Sequence, residues 1–335
     1  MQISARDRKT LLAIISRFGR RRIAVLGDFV ADEFIYGEIA RVSREAPVLI
    51  LKQREKRILP GGGANAANNL VEFGAQTELA GAVGEDEAGE ALLSYFQDKG
   101  VSTKLLQRFP DFITPAKCRV LGGIGHGLPQ QIVRVDREPR RPLGALARRT
   151  VARSLLPSLD SCSAVLISDY GYGATGADEA RFLRRRAGRI PVTVDSRYDI
   201  ASYSRLTAAT PNELELEAAF GQRTEENIEM LHRLAGRMLR RTALEALVVT
   251  RGREGMVLYE PGKKPRVLRI FGSDQVADVT GAGDTVIAAF TLALAAGASF
   301  PHAAMLANCA GGLVVMKRGT ATVTGRELAE AIRNA

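Results

Sequence analysis

The chain has 335 residues, 46% hydrophobic and 25% charged, with 47 Lys and Arg against 37 Asp and Glu for a formal net charge of +10. That balance excludes a disordered chain, and no uncharged apolar run reaches the length of a membrane span. The basic residues are scattered, Trp is absent, and the densest stretch (Arg181, Arg184, Arg185, Arg186, Arg189) reads as a solvated helix face, so a base-stacking nucleic-acid platform is not supported.

In chain order, MQISARDRKT lacks the apolar core of a signal peptide. Thr10 to Phe18 reads as a short amphipathic helix, and Arg22 to Gly27 (RIAVLG) as a buried strand. It ends in Gly27-Asp28, with a second acid at Asp32; open α/β sheets place their ligands at the carboxyl ends of such strands. Phe34 to Gly37 and Pro47 to Lys52 carry strand patterning with polar ends and predict a small β flap. Gly61, Gly62 and Gly63 then open an alanine-rich helix and permit close backbone approach to a ligand. On that helix Asn65 and Asn69, spaced i, i+4, offer donors and acceptors suited to sugar hydroxyls. A plain turn and cap is the alternative.

Thr77 to Val83 is another strand, followed by a helix through Ala91 to Asp98. Ala116 to Leu121 and Gln131 to Asp136 predict a second pair of flap strands, joined by a glycine-rich loop (122–129) in which His126 reads as exposed rather than as a ligand. From Leu143 on, strands at Ala164 to Ser168, Val192 to Asp195, Ala208 to Thr210 and Ala246 to Thr250 alternate with helical segments. Such alternation predicts a parallel sheet covered on both faces. No linker or repeat divides the chain. Residues 1–335 read as one α/β domain, a three-layer αβα sandwich around a mostly parallel sheet, with a flap from about 34–58 and 112–136. Cys118, Cys162 and Cys309, odd in number and far apart, fit buried thiols in a reducing cytoplasm rather than disulfides or a zinc site.

Two further glycine-rich stretches compete for a phosphate. Gly171 to Gly176 (GYGATG) matches GxGxxG, with Asp195 at the distance of a ribose-binding acid, and is the case for an NAD(P)-dependent oxidoreductase. Against it, Asp169-Tyr170 stands between strand and glycine, where a carboxylate would oppose a pyrophosphate. The second stretch, Asp278-Val279-Thr280-Gly281-Ala282-Gly283-Asp284-Thr285, runs into an apolar helical segment. Glycines there turn amides toward one point at a positive helix end, an anion cradle. Asp284 beside a bound anion is repulsive unless it takes a proton from a hydroxyl while the amides hold phosphoryl charge; a simple helix cap is the alternative. GxxxxGK[ST], HExxH and GxSxG are absent, so a bound nucleotide must be gripped by this turn.

Together these segments resemble the ribokinase-like (PfkB) family of carbohydrate kinases over nearly the whole chain. Gly61 to Asn69 matches its first signature; Asp278 to Thr285 matches the second, DTxGAGD, with Val279 in place of Thr; Asn212-Glu213-Leu214-Glu215 matches NxxE. Within the family the chain is similar to the heptose 7-phosphate kinase domain of ADP-heptose synthase. That likeness lies in Gly27 to Asp32, the run from Arg41, Ser168-Asp169-Tyr170-Gly171, Thr210-Pro211-Asn212, Val249-Thr250-Arg251 and Gly319 to Val323. Tyr172 replaces a Lys, and Asp195-Ser196-Arg197 replaces Asp-Pro-Lys.

The resemblance implies ATP-dependent phosphorylation of D-glycero-D-manno-heptose 7-phosphate at O1, or of another sugar or sugar phosphate. It makes Asp284 the base and Gly281, Ala282 and Gly283 the anion hole. Asp28, Asp32, Gly62, Gly63 and Asn65 bind sugar, and Asn212, Arg251, Gly281, Gly283 and Asn308 bind nucleotide. Asn212 and Glu215 hold Mg²⁺ through water, and Asp278 and Thr280 a monovalent cation such as K⁺. A homodimer through the flap is expected, with no nucleic-acid or membrane partner. A phosphorylated acceptor needs a second anion grip, for which Arg119 and Arg134, near Lys117 and Arg137, are candidates; solvated edge-strand charges are the alternative. A non-catalytic sugar-sensing protein on the same fold is disfavoured by the intact Asp284.

Overall fold

The structure is a computed structural model describing residues 3–123, 129–225, 227–272, 278–317 and 319–335. His126 lies outside the described residues. Twelve strands are present among those described: β1 (Arg22–Val42), β2 (Leu49–Gly62), β3 (Gln76–Gly84), β4 (Leu106–Phe109), β5 (Ala116–Gly123), β6 (Gln130–Arg137), β7 (Ala164–Asp169), β8 (Val192–Ser196), β9 (Ala208–Ala209), β10 (Ala246–Thr250), β11 (Met256–Tyr259) and β12 (Arg266–Leu268). The main sheet has the order β12-β11-β10-β9-β8-β7-β1-β3-β4. Its pairings are parallel except β10–β11 and β11–β12.

The helices are α1 (Ala5–Ile15), α2 (Gly63–Glu72), α3 (Glu87–Asp98), α4 (Ala145–Ser154), α5 (Leu156–Leu159), α6 (Ala177–Arg186), α7 (Glu213–Phe220), α8 (Ile228–Thr242), α9 (Ala282–Ala295), α10 (Phe300–Val314) and α11 (Gly325–Arg333). Strand alternation decides which layer each covers. Ile23, Val25, Leu166 and Val248 point into one core with α1, α2, α3, α9, α10 and α11. Their neighbours Ala24, Leu26, Val165, Ile167, Leu247 and Val249 point into the other, with α4 to α8. The result is the three-layer sandwich expected. α9 is apolar all round and buried from Asp284 to Leu294, as a central helix must be; Phe290→Ala there would cost about 3–5 kcal/mol.

Where the sequence reading separates strands at Arg22–Gly27 and Phe34–Gly37, the structure has one strand of 21 residues. Asp28, Asp32 and Glu33 are buried within it, and the reading breaks the strand at these acids. They are tolerated because each has partners, since an unpaired buried charge is expensive. Through Asp28, β1 belongs to the main sheet. From Phe29 on it pairs antiparallel with β2, and from Ala31 parallel with β5, which pairs antiparallel with β6. These four strands form the flap. The antiparallel edge β11–β12 and the short β4 carry too little periodicity to be read from sequence.

Candidate active site

Parallel strands bring their carboxyl ends to one edge, and the acids fall there. β1 delivers Asp28 and Asp32, β7 delivers Asp169 and Tyr170, β8 delivers Asp195, and β9 and β10 lead to Asn212 and Thr250, which form a bridge. Facing them is the start of α9. Its N-cap Gly281 has φ +76°, and among the described residues no side chain caps this end. A methyl group at Gly281 would collide with Asn65 Nδ2, so only glycine fits. Asp284 lies one turn in and is buried. Asn65 Nδ2 donates to its Oδ2 at 2.8 Å, and the Tyr170 hydroxyl to its Oδ1 at 3.0 Å. Asn69 Nδ2 donates to Asn65 Oδ1 at 3.2 Å, and Thr285 Oγ1 to Asn69 Oδ1 at 2.9 Å. Burial, opposed by the bonds from Asn65 and Tyr170, pushes the Asp284 carboxyl up to about 7. A carboxylate poised there suits proton abstraction at neutral pH.

Beside this point opens a cleft of 160 Å³ lined by Thr250, Gly252, Ala282, Gly283, Asn308 and Gly312, among others. A methyl at Gly283 would meet nothing nearer than Asp195 Oδ2 at 4.0 Å, so the space before this amide is open. The edge therefore joins a small-residue slot, a helix end that begins at a glycine and a buried carboxylate.

The model of the pfkB family of carbohydrate kinases matches residues 21–125 and 174–325. The chain belongs to this family. The curated relative named Bifunctional protein HldE, from Pelobacter propionicus, is 38% identical over 329 residues, covering 97% of this chain and 66% of that protein. The chain spans just under two thirds of the length of the first curated relatives it matches. Among solved structures, Arabidopsis thaliana ribokinase complexed with ribose and ATP matches with a TM-score of 0.71 at 20% identity, over 93% of this chain and 98% of that one. Phosphofructokinase-2 from Escherichia coli in complex with substrates and products gives 0.72 at 18% identity, over 94% and 99%. At such identities the two structures speak for the fold alone, which is ribokinase-like as expected.

In this pfkB family member the two glycine signatures meet: Asn65 of the first touches Gly281 and Asp284 of the second. Gly62, with φ +52°, caps α2, and a methyl at Gly63 would sit 2.8 Å from the Asp28 carbonyl. Asp32 accepts from Arg119 at 2.7 Å and from Thr320 at 3.2 Å. Asn212 and Glu215 form a capping box on α7, the Asn side chain accepting from the Glu215 amide and the Glu from the Asn212 amide. Burial pushes Glu215 up, and pushes Asp195 up further with help from the charges of Glu215 and Asp284. Arg251 pairs with Glu213 at 3.2 Å, and Asn308 donates to the Arg269 carbonyl at 2.7 Å. Asp278 accepts from the amides of Thr280 and Gly319, tying two segments together.

Two residues sit elsewhere than the binding roles implied for them. Asp28 accepts from the amides of Tyr170, Tyr172 and Ala174, so its carboxylate holds the 170–174 turn. An internal carboxylate thus takes amides that a dinucleotide pyrophosphate would need, which disposes of the GxGxxG reading. Arg134 lies on the same flap face as Arg119, opposite it in register, but grips Asp136 bidentately at 2.9 Å in an exposed pair. Tyr172, in place of a Lys, turns its hydroxyl to Glu138 at 2.9 Å. The sequence alone assigns no role to Tyr170 and gives Lys117 no place beside Asp284. Lys117 Nζ stands over the Tyr170 ring at 5.1 Å, and Tyr170 follows directly on buried β7, a position that alone could have flagged it.

Proposed function

We propose that the chain transfers the terminal phosphoryl group of ATP to a sugar hydroxyl, the acceptor being D-glycero-D-manno-heptose 7-phosphate and the product its 1,7-bisphosphate. The observation that carries this is the buried Asp284, held by two neutral donors at an uncapped helix N-terminus beside a slot of small residues. Asp284 takes the proton of the acceptor hydroxyl, whose oxygen attacks the terminal phosphorus as ADP leaves. The amides of Gly281 and Gly283 hold the charge on the transferring group, that of Ala282 being given to the Val279 carbonyl at 3.2 Å. Asp32, Asn65 and the backbone at Gly62 and Gly63 orient the sugar, while Asp28 acts through the turn it anchors.

Mg²⁺, when bound, supplies charge neutralisation on the phosphates. It binds characteristically through one or two carboxylates, water and phosphate, and Glu215 with Asn212, near Asp195, fits that sparse donor set. Asp278 and Thr280, with backbone near Gly319, are the place for K⁺. The heptose phosphate assignment rests on the resemblance in Ser168 to Gly171 and on two cations at the flap, Lys117, whose charge acts on Asp284, and Arg119, which pairs with Asp32. We also propose one kinase domain with the flap as lid and a homodimer through that flap, where Val42, Val48, Leu49, Val133 and Val135 are exposed. The setting is cytoplasmic, in keeping with three free buried cysteines among the described residues; no described helix is long and apolar enough to cross a membrane.

The test is ADP release over a panel containing heptose 7-phosphate, its unphosphorylated twin and other free and phosphorylated sugars. The proposal expects kcat/KM to be highest for heptose 7-phosphate and, in Arg119→Ala, to fall further for that sugar than for its unphosphorylated twin, since both lose the partner of Asp32. Preference for an unphosphorylated sugar would leave a sugar kinase and remove the heptose phosphate reading.

A further inference from the structure

We propose that Tyr170 is a positioning residue for the base: its hydroxyl fixes Asp284 Oδ1 and keeps the carboxylate ionised and oriented in the substrate-free enzyme. The inference rests on the reading of Asp284 as the base and goes beyond the family signatures, neither of which contains Tyr170.

The two hydrogen bonds on Asp284 differ in what stands behind them. Asn65 is locked by Asn69, which is locked in turn by Thr285 on the same helix as the base. Its bond to Oδ2 is therefore fixed by α2 and α9 together. Tyr170 comes from the opposite side, from the turn after β7, and its backbone amide is held at 2.8 Å by Asp28 Oδ2. Its half-buried ring lies under Lys117 and against Gly62, where a methyl would approach Tyr170 Cδ2 to 3.3 Å. Among the described residues, the hydroxyl has one partner, Asp284 Oδ1. Anchored at its amide and clamped at its ring, Tyr170 aims one donor at one carboxylate oxygen. Asp28, Gly62 and the 170–174 turn thereby acquire a common purpose.

A hydrogen bond donated to the ionised form of an acid favours that form. Charged groups of both signs also face Asp284. Asp32 on the flap opposes ionisation and Lys117 beside it favours it. Asp195 on β8 lies within electrostatic reach and is itself influenced by Glu215 on α7, while Arg197 next to it acts on Tyr170 and Lys117. Burial raises the Tyr170 phenol well above its ordinary value, so it stays a donor throughout the working pH range.

The experiment compares wild type with Tyr170→Phe, using the infrared band of the protonated carboxyl that Asp284→Asn lacks, followed from pH 4 to 9 in the sugar-free protein. The expected result is a titration midpoint about one unit higher in Tyr170→Phe. The acid limb of kcat/KM should move with it, making the variant about tenfold slower on that limb while KM for ATP is unchanged. Should Tyr170→Phe fail to fold, 3-fluorotyrosine at position 170, a stronger donor, should move both midpoints down. An Asp284 band that titrates as in wild type, with an unmoved acid limb, overturns the role of Tyr170. Full activity in Asp284→Asn instead overturns the base reading, and the infrared midpoint still decides whether Tyr170 sets that carboxyl.

Discussion

Two helices in this molecule begin alike. α6 and α9 both follow a glycine-rich turn at the carboxyl edge of the sheet, both start from a glycine N-cap, neither has a side-chain cap, and both carry acids in the first turn. They differ in what those acids and amides meet. At α6, Asp178 pairs with Arg181 at 3.0 Å and Glu179 with Arg148 at 2.9 Å, while the preceding turn gives its amides to Asp28. At α9, Asp284 has two neutral donors and no ion pair among the described residues, and the space beside Gly283 is open. A glycine turn before a helix thus becomes a candidate reaction site when some of its amides, here those of Gly281 and Gly283, remain for a ligand and its acid remains without a cation. The motif alone does not distinguish the two.

Glycine substitutions break the comparison from both ends. Gly281→Ala requires a left-handed alanine colliding with Asn65, so kcat should fall by about 10²-fold, the order for losing one oxyanion-hole donor; steady-state rates, with thermal melting to verify the fold, check this. Glu215→Gln preserves a capping box but weakens the metal's outer contacts. The Mg²⁺ giving half-maximal rate should rise by about tenfold, and an unchanged Mg²⁺ titration would return Glu215 to the role of a cap. Gly176→Ala, at the mirror position on α6, is extended at φ −176° and has Glu179 Oε2 at 3.3 Å as the nearest neighbour of an added methyl. Its kcat/KM should stay within about twofold of wild type, since surface changes away from special features are usually small.

The raised Asp284 carboxyl sharpens the comparison thermodynamically. It titrates near 7 when folded, above the 3.8 of an ordinary Asp, so the folded protein holds that proton more tightly than the unfolded chain does. The associated stability is fully present below about 3.8 and is lost as pH rises through about 7. Asp284→Asn should therefore melt higher than wild type at pH 8, with the gap closing toward pH 4, in thermal scans across that range. A constant gap would mean that the buried carboxylate carries no ionisation cost.

Much of this was legible in the sequence, for identifiable reasons. Ile23 and Val25 alternate with Ala24 and Leu26, so the two-sided burial of β1 could be read directly. Gly281 and Asp284 announced an anion cradle with an acid inside it. What escaped notice depended on distant partners. Asp28 looks like a ligand-binding acid until the amides of residues 170–174 are seen to occupy it. Arg134 looks like an anion grip until Asp136, two residues on, is seen to hold it. Tyr170 lies 114 positions from Asp284, and no local pattern reports that contact.

The measurement closest to the central claim is ATP-dependent turnover of Asp284→Asn alongside calorimetric nucleotide binding. An asparagine keeps the shape and cannot accept the hydroxyl proton. The account predicts a loss of at least 10²–10⁴-fold in kcat, with nucleotide affinity within a few-fold of wild type. Wild-type turnover in that variant would contradict it and reduce Asp284 to a buried residue at a helix end.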